Sequence, residues 1–212
     1  SAIFTQRPEI NVHGGSFTVD GLIRLDHNWS YGKITVDGGE MTAKSDIYNQ
    51  YYGTGGSQLY IEVKNGGRFT SSSTFRAANK STAERKTICR VDVKDGGVFA
   101  ARSVVTSAAN ADTELHVDGG IFKSIQSAYG DTVGFNAVYV GAKGMTVDVA
   151  DTYSWGPKWT SPIRSEPGVT DGGIDIVGKY GGDVDYSGQQ LLLSTFLSPL
   201  TVTGFLYLAT LF

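Results

Sequence analysis

The chain has 212 residues, with 18 basic and 21 acidic side chains and a net charge of −3. This length is enough for one sizeable domain with a buried core. The near balance of charge lacks the electrostatic footprint of a nucleic-acid-binding protein, so we expect no nucleic-acid partner. A single cysteine, Cys89, excludes an intramolecular disulfide framework.

After a first segment of nine residues, in which Pro8 can block further strand pairing, one short pattern occurs five times. Each copy alternates an aliphatic, a polar and a Val residue, and continues through a polar turn and a Gly-Gly pair to a large apolar residue. The alternation places the aliphatic side chains on one face of a strand. The Gly-Gly pair supplies a turn with positive φ. The five copies are residues 10–17, 34–41, 61–69, 91–99 and 115–122.

The first glycines of the five pairs are 23 to 30 residues apart, a spacing that predicts a solenoid. A second strand follows each pair and ends, six residues after the large apolar residue, on an inward side chain. These predicted inward residues are Ile23, Ile47, Phe75, Val105 and Ala128. We also predict that the Val residues before the turns form one buried column, namely Val36, Val63, Val93 and Val117.

The differences in length between repeats fall after the second strand. The variable stretches should therefore leave the solenoid at one corner of every coil. They are residues 27–33, 49–58, 77–87, 107–113 and 129–136.

The pattern then becomes irregular. Residues 138–149 keep the alternation without Gly-Gly, 152–170 form an irregular excursion, and 172–177 are one more degenerate coil. We therefore divide the chain into a parallel β-helix over 1–186 and an atypical apolar segment over 187–212, which carries no charge. Three interpretations of that segment remain: a cap on the last coil, a membrane- or partner-directed segment, or a sequence foreign to the repeat. Membrane association, if any, would involve this segment alone.

The five Val-x-Gly-Gly-x-Phe-like phrases resemble those of right-handed parallel β-helix proteins, including pectin-lyase-like domains and bacterial autotransporter passenger or adhesin repeats. The resemblance covers residues 10–149 well and 150–186 weakly. It implies an all-β, single-stranded right-handed parallel β-helix of about six or seven coils, secreted or at a bacterial cell surface. It favours a non-enzymatic structural or adhesive module that binds glycans through loops on one face. The alternative is a polysaccharide lyase or glycoside hydrolase of the pectin-lyase-like class, or a fragment of one.

No catalytic residue can be assigned from the sequence. The slot before Gly-Gly holds Asp37, Asp95 and Asp118, with His13 and Asn65 in the matching positions, and these residue types are favoured in turns. The histidines, which also include His27 and His116, occupy unrelated phases of the repeat and form neither a triad nor a zinc spacing.

Carboxylates late in the chain could offer oxygen ligands to Ca²⁺, but their order fits no known calcium loop. We therefore expect no cofactor or metal site, with Ca²⁺ as the one cation that these side chains suit. They are Asp148, Asp151, Asp171, Asp175, Asp183 and Asp185.

Basic residues in the third and fourth coils form either a polyanion-binding patch or a solvated loop, and we favour the loop because Glu84 and Asp92 alternate with them. They are Arg76, Lys80, Arg85, Lys86 and Arg102.

Aromatic side chains in the variable stretches are the better functional signal. Flat rings suit the C–H faces of sugars, and Tyr hydroxyls add hydrogen bonds. Stacked loops would align such rings into a ribbon that binds a polysaccharide or a host-cell glycan, and the alternative is that the rings pack the loops onto the strands. The candidate ligand-binding residues are Trp29, Tyr31, Tyr48, Tyr51, Tyr52, Arg76 and Tyr129, and Phe135 belongs to the same loop set. The oligomeric state stays open.

Overall fold

The computed structural model describes residues 2–4, 7–25, 29–53, 55–125, 131–149, 158–177 and 202–203. These residues form β-strands and no helix, and the strands pair in parallel. The predicted all-β fold is confirmed as a β-solenoid of about six turns. In chain order the strands are β1 (Ala2–Phe4), β2 (Glu9–His13), β3 (Ser16–Val19), β4 (Ile23–Leu25), β5 (Tyr31–Asp37), β6 (Glu40–Ala43), β7 (Ile47–Tyr48), β8 (Gln58–Lys64), β9 (Arg68–Ala78), β10 (Thr87–Lys94), β11 (Val98–Thr106), β12 (Ala111–Asp118), β13 (Gly120–Ser124), β14 (Thr132–Val133), β15 (Ala137–Val140), β16 (Met145–Asp148), β17 (Lys158–Trp159), β18 (Ile163–Ser165), β19 (Ile174–Val177) and β20 (Val202–Thr203).

Each complete coil contributes to three faces. The first face is the seven-stranded sheet β2-β5-β8-β10-β12-β15-β18. The second face contains β3, β6, the first half of β9, the first half of β11, β13, β16, β19 and β20. The third contains β1, β4, β7, the second halves of β9 and β11, β14 and β17. The second and third faces join into one sheet because β9 and β11 run along both.

The predicted Val column is confirmed. Val36, Val63 and Val93 are fully buried, and Val117 is 1% exposed. Strand register places each directly beside the next, with Val140 continuing the column in the following coil. The interior is therefore a stack of equivalent positions in which each coil covers the apolar face of its neighbour.

An aromatic column runs along the second face. Phe69 and Phe99 stack with ring centroids 5.6 Å apart and planes within 4°, and Phe122 lies 6.1 Å from Phe99. The column begins at Phe17 and Met41 in the first two coils.

The third-face column differs from its prediction in one coil. Ile23, Ile47 and Phe75 are buried as expected. In the fourth coil, however, Val104 pairs with Phe75 and is buried, whereas Val105 is only partly buried and pairs with Arg76. A register shift between Ala101 and Ser103 moves the inward position by one residue, because side chains alternate along a strand. Ala128 lies outside the described residues.

The two glycines of each pair serve different purposes. In the third coil, Asn65 and Gly66 both adopt positive φ, and the turn closes with a 2.9 Å hydrogen bond from Gly67 N to Lys64 O. Two successive positive φ values are typical of a type I′ turn. A Cβ on Gly67 would lie 2.6 Å from Val36 O in the preceding coil, whereas a Cβ on Gly66 would meet nothing within 4 Å. The first glycine provides the positive φ that the turn needs. The second has no Cβ and therefore allows the backbones of neighbouring coils to approach closely.

The long connections confirm the corner prediction in the first four coils, where they join the third face to the first. The fifth stretch is different because β14 lies inside it. Because β14 belongs to the third face, the corner prediction is wrong for this coil. The predicted irregular excursion over 152–170 also contains β17 and β18.

Of the apolar C-terminal segment, only β20 is described, and it pairs in parallel with β19. The remainder of residues 187–212 lies outside the described residues, so all three interpretations of the segment stay predictions. Within the described part of the chain, no helix has the length and apolar character needed to cross a membrane.

We predict that Gly66→Ala and Gly67→Ala differ strongly in stability. Gly66→Ala should lower the free energy of unfolding by about 1 kcal/mol, because only the positive φ is strained. Gly67→Ala should cost ~3 kcal/mol or more, because its Cβ collides with backbone in the preceding coil. Chemical denaturation measures both, with Gly66→Asn as a control that tolerates positive φ. Equal losses at the two positions would contradict this assignment.

Candidate functional site

Trp29 is the most exposed large hydrophobic side chain in the described part of the chain, at 66%. It has a φ of +64° and lies just before β5. Gly56 in the next loop packs against its ring so closely that a Cβ there would lie 3.1 Å from Trp29 Cε3. Arg85 places its guanidinium carbon 5.9 Å from the ring centroid. The ring is therefore exposed but held in position by the next two corner loops.

Tyr48 at the end of β7 and Tyr51 and Tyr52 in the loop that follows form a second group. Their rings meet edge to face, with centroids 4.7 Å apart for Tyr48 and Tyr51 and 4.5 Å apart for Tyr51 and Tyr52. Arg24 lies over the rings of Tyr51 and Tyr52, at 4.9 and 5.6 Å. Tyr52 is 56% exposed, whereas Tyr48 and Tyr51 are partly buried. Tyr52 is thus the most exposed ring of this edge-to-face group.

Arg76 completes this group on the third face. The register places Tyr48 between Arg24 and Arg76, and the Arg76 guanidinium lies 5.0 Å from the Tyr48 ring. Arg76 also forms an ion pair with Asp46, at 3.5 Å between Nη2 and Oδ2. The structure therefore brings four predicted site residues together: Tyr48, Tyr51, Tyr52 and Arg76.

Asp46 holds this group in place through hydrogen bonds and an ion pair. Its Oδ1 accepts hydrogen bonds from Ser73 Oγ at 2.6 Å and Thr74 N at 3.1 Å, and its Oδ2 accepts one from Tyr48 Oη at 3.3 Å. Partial burial alone raises the pKa of Asp46. The hydrogen bonds from Ser73 and Thr74 and the charge of Arg76 outweigh that effect, so the pKa lies below its ordinary value. The carboxylate is an internal support of the cluster.

The other predicted aromatic residues lie elsewhere. Tyr31 points outward from the first face, where its ring packs 5.4 Å from that of Tyr60. Phe135, in the connection between β14 and β15, is buried at 3% exposure, and its ring lies 6.4 Å from that of Phe75, which agrees with the alternative that such rings pack the loops onto the strands. Tyr129 lies outside the described residues. Among the described residues of this set, Trp29 and Tyr52 are the exposed rings, with packed rings beside them.

The basic residues of the third and fourth coils are largely engaged in ion pairs. Lys86 Nζ donates to Asp112 at 2.8 Å, and Arg102 Nε donates to Asp131 at 3.1 Å. Arg76 and Arg85 lie against aromatic rings. These contacts favour the solvated interpretation over a polyanion-binding patch, although Arg76 and Arg102 lie on β9 and β11 and not in a loop.

The polar residues that precede the Gly-Gly pairs form a row of contacts from coil to coil. Asn65 Nδ2 donates to Asp37 Oδ1 at 2.7 Å, and Lys143 donates from Nζ to Asp95 at 2.5 Å and from its backbone N to Asp118 at 2.8 Å. The hydrogen bond and charge of Lys143 lower the pKa of the exposed Asp95 carboxyl. These contacts support the turn interpretation of this set.

Sequence reasoning missed a charged groove of about 240 Å³ on the first face. His116 is its centre: Nδ1 lies 2.8 Å from Glu166 Oε2, Nε2 lies 2.9 Å from Glu114 Oε2, and the ring stacks on Tyr139. Glu166 reaches His116 from two coils away. The sequence did indicate that His116 and Glu114 point outward from the same strand, because both alternate with inward residues. No local pattern, however, reveals the contact with Glu166.

Beside His116, Arg90 donates to both carboxylate oxygens of Asp92, with distances of 2.9 to 3.1 Å. Hydrogen bonds to Asp92 raise the pKa of Arg90 further, against the smaller opposing effect of burial. Within the described ranges, no three His, Cys, Asp or Glu side chains are grouped to hold a metal ion. The polar side chains at the centre of the groove are therefore hydrogen-bonded to one another.

No protein-family model matches this chain, and neither a curated protein nor a solved structure does. The fold assignment consequently depends on strand pairing, and any function has to be argued from the surface chemistry described above.

We predict that Asp46→Asn destabilises the protein in a pH-dependent way. Because the folded pKa of Asp46 is depressed, its stabilising contribution is fully present above the ordinary Asp pKa of 3.8 and is lost as the pH falls below it through the folded pKa. The difference in unfolding free energy between wild type and variant should therefore be largest near neutral pH and shrink in acid. Denaturant titrations across that range measure it, and a gap that widens in acid would refute the assignment.

Proposed function

We propose that this protein is a non-enzymatic β-solenoid module of a secreted or cell-surface protein, similar to pectin-lyase-like and autotransporter adhesin solenoids, and that it binds glycans at its loop corner. The observation that carries the proposal is the pair of exposed, supported rings, Trp29 and Tyr52, which belong to successive loops of one corner.

The support beneath these rings is as informative as their exposure. Large exposed apolar groups on a soluble surface favour an interaction role when they are held together rather than scattered. Gly56 and Arg85 fix Trp29, while Tyr51 and Arg24 fix Tyr52. A ring that is already ordered loses little conformational entropy on binding, so it suits the weak C–H contacts that a sugar offers.

The neighbouring donors add polar recognition. Arg76 and Arg24 flank Tyr48 and Tyr51, and their guanidinium groups can donate hydrogen bonds to sugar hydroxyls beside the rings. The solenoid provides a rigid support for this corner, because coils with equivalent registers fix the loops relative to each other.

A second candidate function is a polysaccharide lyase or hydrolase, and the charged groove favours it. There, Glu166 reaches His116 and Glu114 of β12 from two coils away, and paired carboxylates are the catalytic groups of glycoside hydrolases. We favour the binding module because the polar groups of the groove are hydrogen-bonded to one another, whereas Trp29 and Tyr52 are the large rings most exposed among the described residues.

We predict that wild-type protein binds a subset of glycans on an array and that Trp29→Ala and Tyr52→Ala each weaken that binding at least about tenfold, which is about 1.4 kcal/mol. Tyr60→Ala is the matched control, since it removes an aromatic ring from a different face. Binding that is unaffected by both corner variants, while the variants stay folded, would refute the proposed site.

Digestion of the same polysaccharides distinguishes the two candidate functions. The binding module should yield neither unsaturated products by ultraviolet absorbance nor new reducing ends. Product formation that is abolished by Glu166→Gln and retained in Trp29→Ala would instead establish the enzymatic alternative at the charged groove.

A further inference from the structure

The two ring nitrogens of His116 each face a carboxylate. Nδ1 lies 2.8 Å from Glu166 Oε2, Nε2 lies 2.9 Å from Glu114 Oε2, and the side chain is only 9% exposed. Glu114 belongs to the same strand as His116, β12, whereas Glu166 directly follows β18, two coils further along the solenoid. His116 thus connects β12 to a segment that is 50 residues away in the sequence.

The number of protons on the ring decides whether both contacts can be hydrogen bonds. A neutral imidazole has one N–H and one lone pair, whereas an imidazolium ion has two N–H groups. A carboxylate can only accept, so a neutral His116 donates to one glutamate and turns its lone pair toward the oxygen of the other. Both contacts therefore need one additional proton among the three side chains. Imidazole is more basic than a carboxylate, so we assign that proton to the ring.

The charges around His116 balance only when the ring is protonated. The stacked Tyr139 ring, 4.7 Å away, is uncharged and covers the β15 side. With four carboxylates against three cations around it, an imidazolium ion brings the local charge to zero, and a neutral ring leaves one negative charge in excess. The carboxylates are Asp92, Glu114, Asp118 and Glu166, and the cations are Arg90, Lys94 and Arg164.

Glu166 is the first residue of an exposed turn. Val169 N donates to Glu166 O at 3.1 Å, Pro167 follows Glu166, and Gly168 has a φ of +77°. Pro and Gly at the two central positions are typical of a type II turn. Residues 167–170 are exposed, so little apolar burial holds this turn in place.

Three contacts attach the turn to the earlier coils. Two are backbone hydrogen bonds, from Glu166 N to Val140 O at 2.9 Å and from Gly172 N to Gly141 O at 3.0 Å. The third is the contact of the Glu166 side chain with His116. Glu166 also lines the charged groove, so the position of the turn determines how far the groove is open.

We propose that His116 is a pH switch that holds the turn after β18 against the first face and thereby controls access to the charged groove. At about pH 5 the protonated ring binds both glutamates, and toward about pH 8 it loses one N–H. The contact with Glu166 is then the one lost, because Glu114 is fixed beside His116 in a strand that is paired on both sides. This switch lies on the first face and does not depend on glycan binding at the corner.

Hydrogen exchange of the full chain at two pH values tests the switch. Protection factors, which are corrected for the pH dependence of exchange itself, should fall for the Glu166 and Gly172 amides by about tenfold or more between about pH 5 and about pH 8. The Gly67 amide, which closes a turn in the third coil, should keep its protection factor and serves as the internal reference. Equal protection of the Glu166 and Gly172 amides at the two pH values would overturn the proposal.

Three variants assign the effect to His116. His116→Gln should abolish the pH dependence, because an amide does not titrate in this range. Glu166→Gln should keep the turn protected at about pH 8, because its amide can donate to the lone pair of a neutral ring. His13→Gln is the matched control and should retain the full pH dependence, since His13 lies on β2. A pH dependence that persists in His116→Gln would show that another group is responsible.

Nitrogen NMR of the wild-type histidine rings provides a test that does not depend on any variant. His116 should carry a proton on both ring nitrogens at about pH 5 and on only one at about pH 8. A ring with a single N–H at about pH 5 would refute the switch, even if the turn were well protected at that pH.

Discussion

The close approach of successive coils at the Gly-Gly turn is the constraint on which the rest of the structure depends. Gly67 lies against Val36 O, and Gly97 against Val63 O, so the backbone of each turn rests on the strand of the coil before it. A side chain at either position would push the coils apart. The same approach sets the register that places Val63 beside Val36 and Val93 and closes the interior.

This tight stacking leaves the corner loops as the place where the chain can vary. Inward side chains have to fit in shape against the equivalent side chains of the neighbouring coils. Outward side chains lie beside the same neighbouring coils, so neither set can change freely. The loops that follow the third face have no such restriction, and there Trp29 and Tyr52 are exposed on supports built from packed rings and guanidinium groups. A rigid scaffold with variable loops is suited to recognition rather than to conformational change.

A solenoid also differs from a closed domain in having two ends that resemble its interior. The exposed Phe17 and the open edge of β2 are what every inner coil would present if it were separated from its neighbour. Protection of such edges therefore matters as much as the core, and the pairing of β20 with β19 is one form of it.

The sequence by itself determined the repeat, the Val column, the turn positions and the corner from which the first loops leave, because each depends on a local pattern with a fixed phase. Tertiary structure decided what depends on contacts between coils. The register shift that makes Val104 the inward residue, the burial of Phe135 and the meeting of His116 with Glu166 are examples. Coil stacking joins residues that are 23 to 50 positions apart, and the repeat pattern does not reveal contacts between different positions of the repeat, such as that of His116 with Glu166.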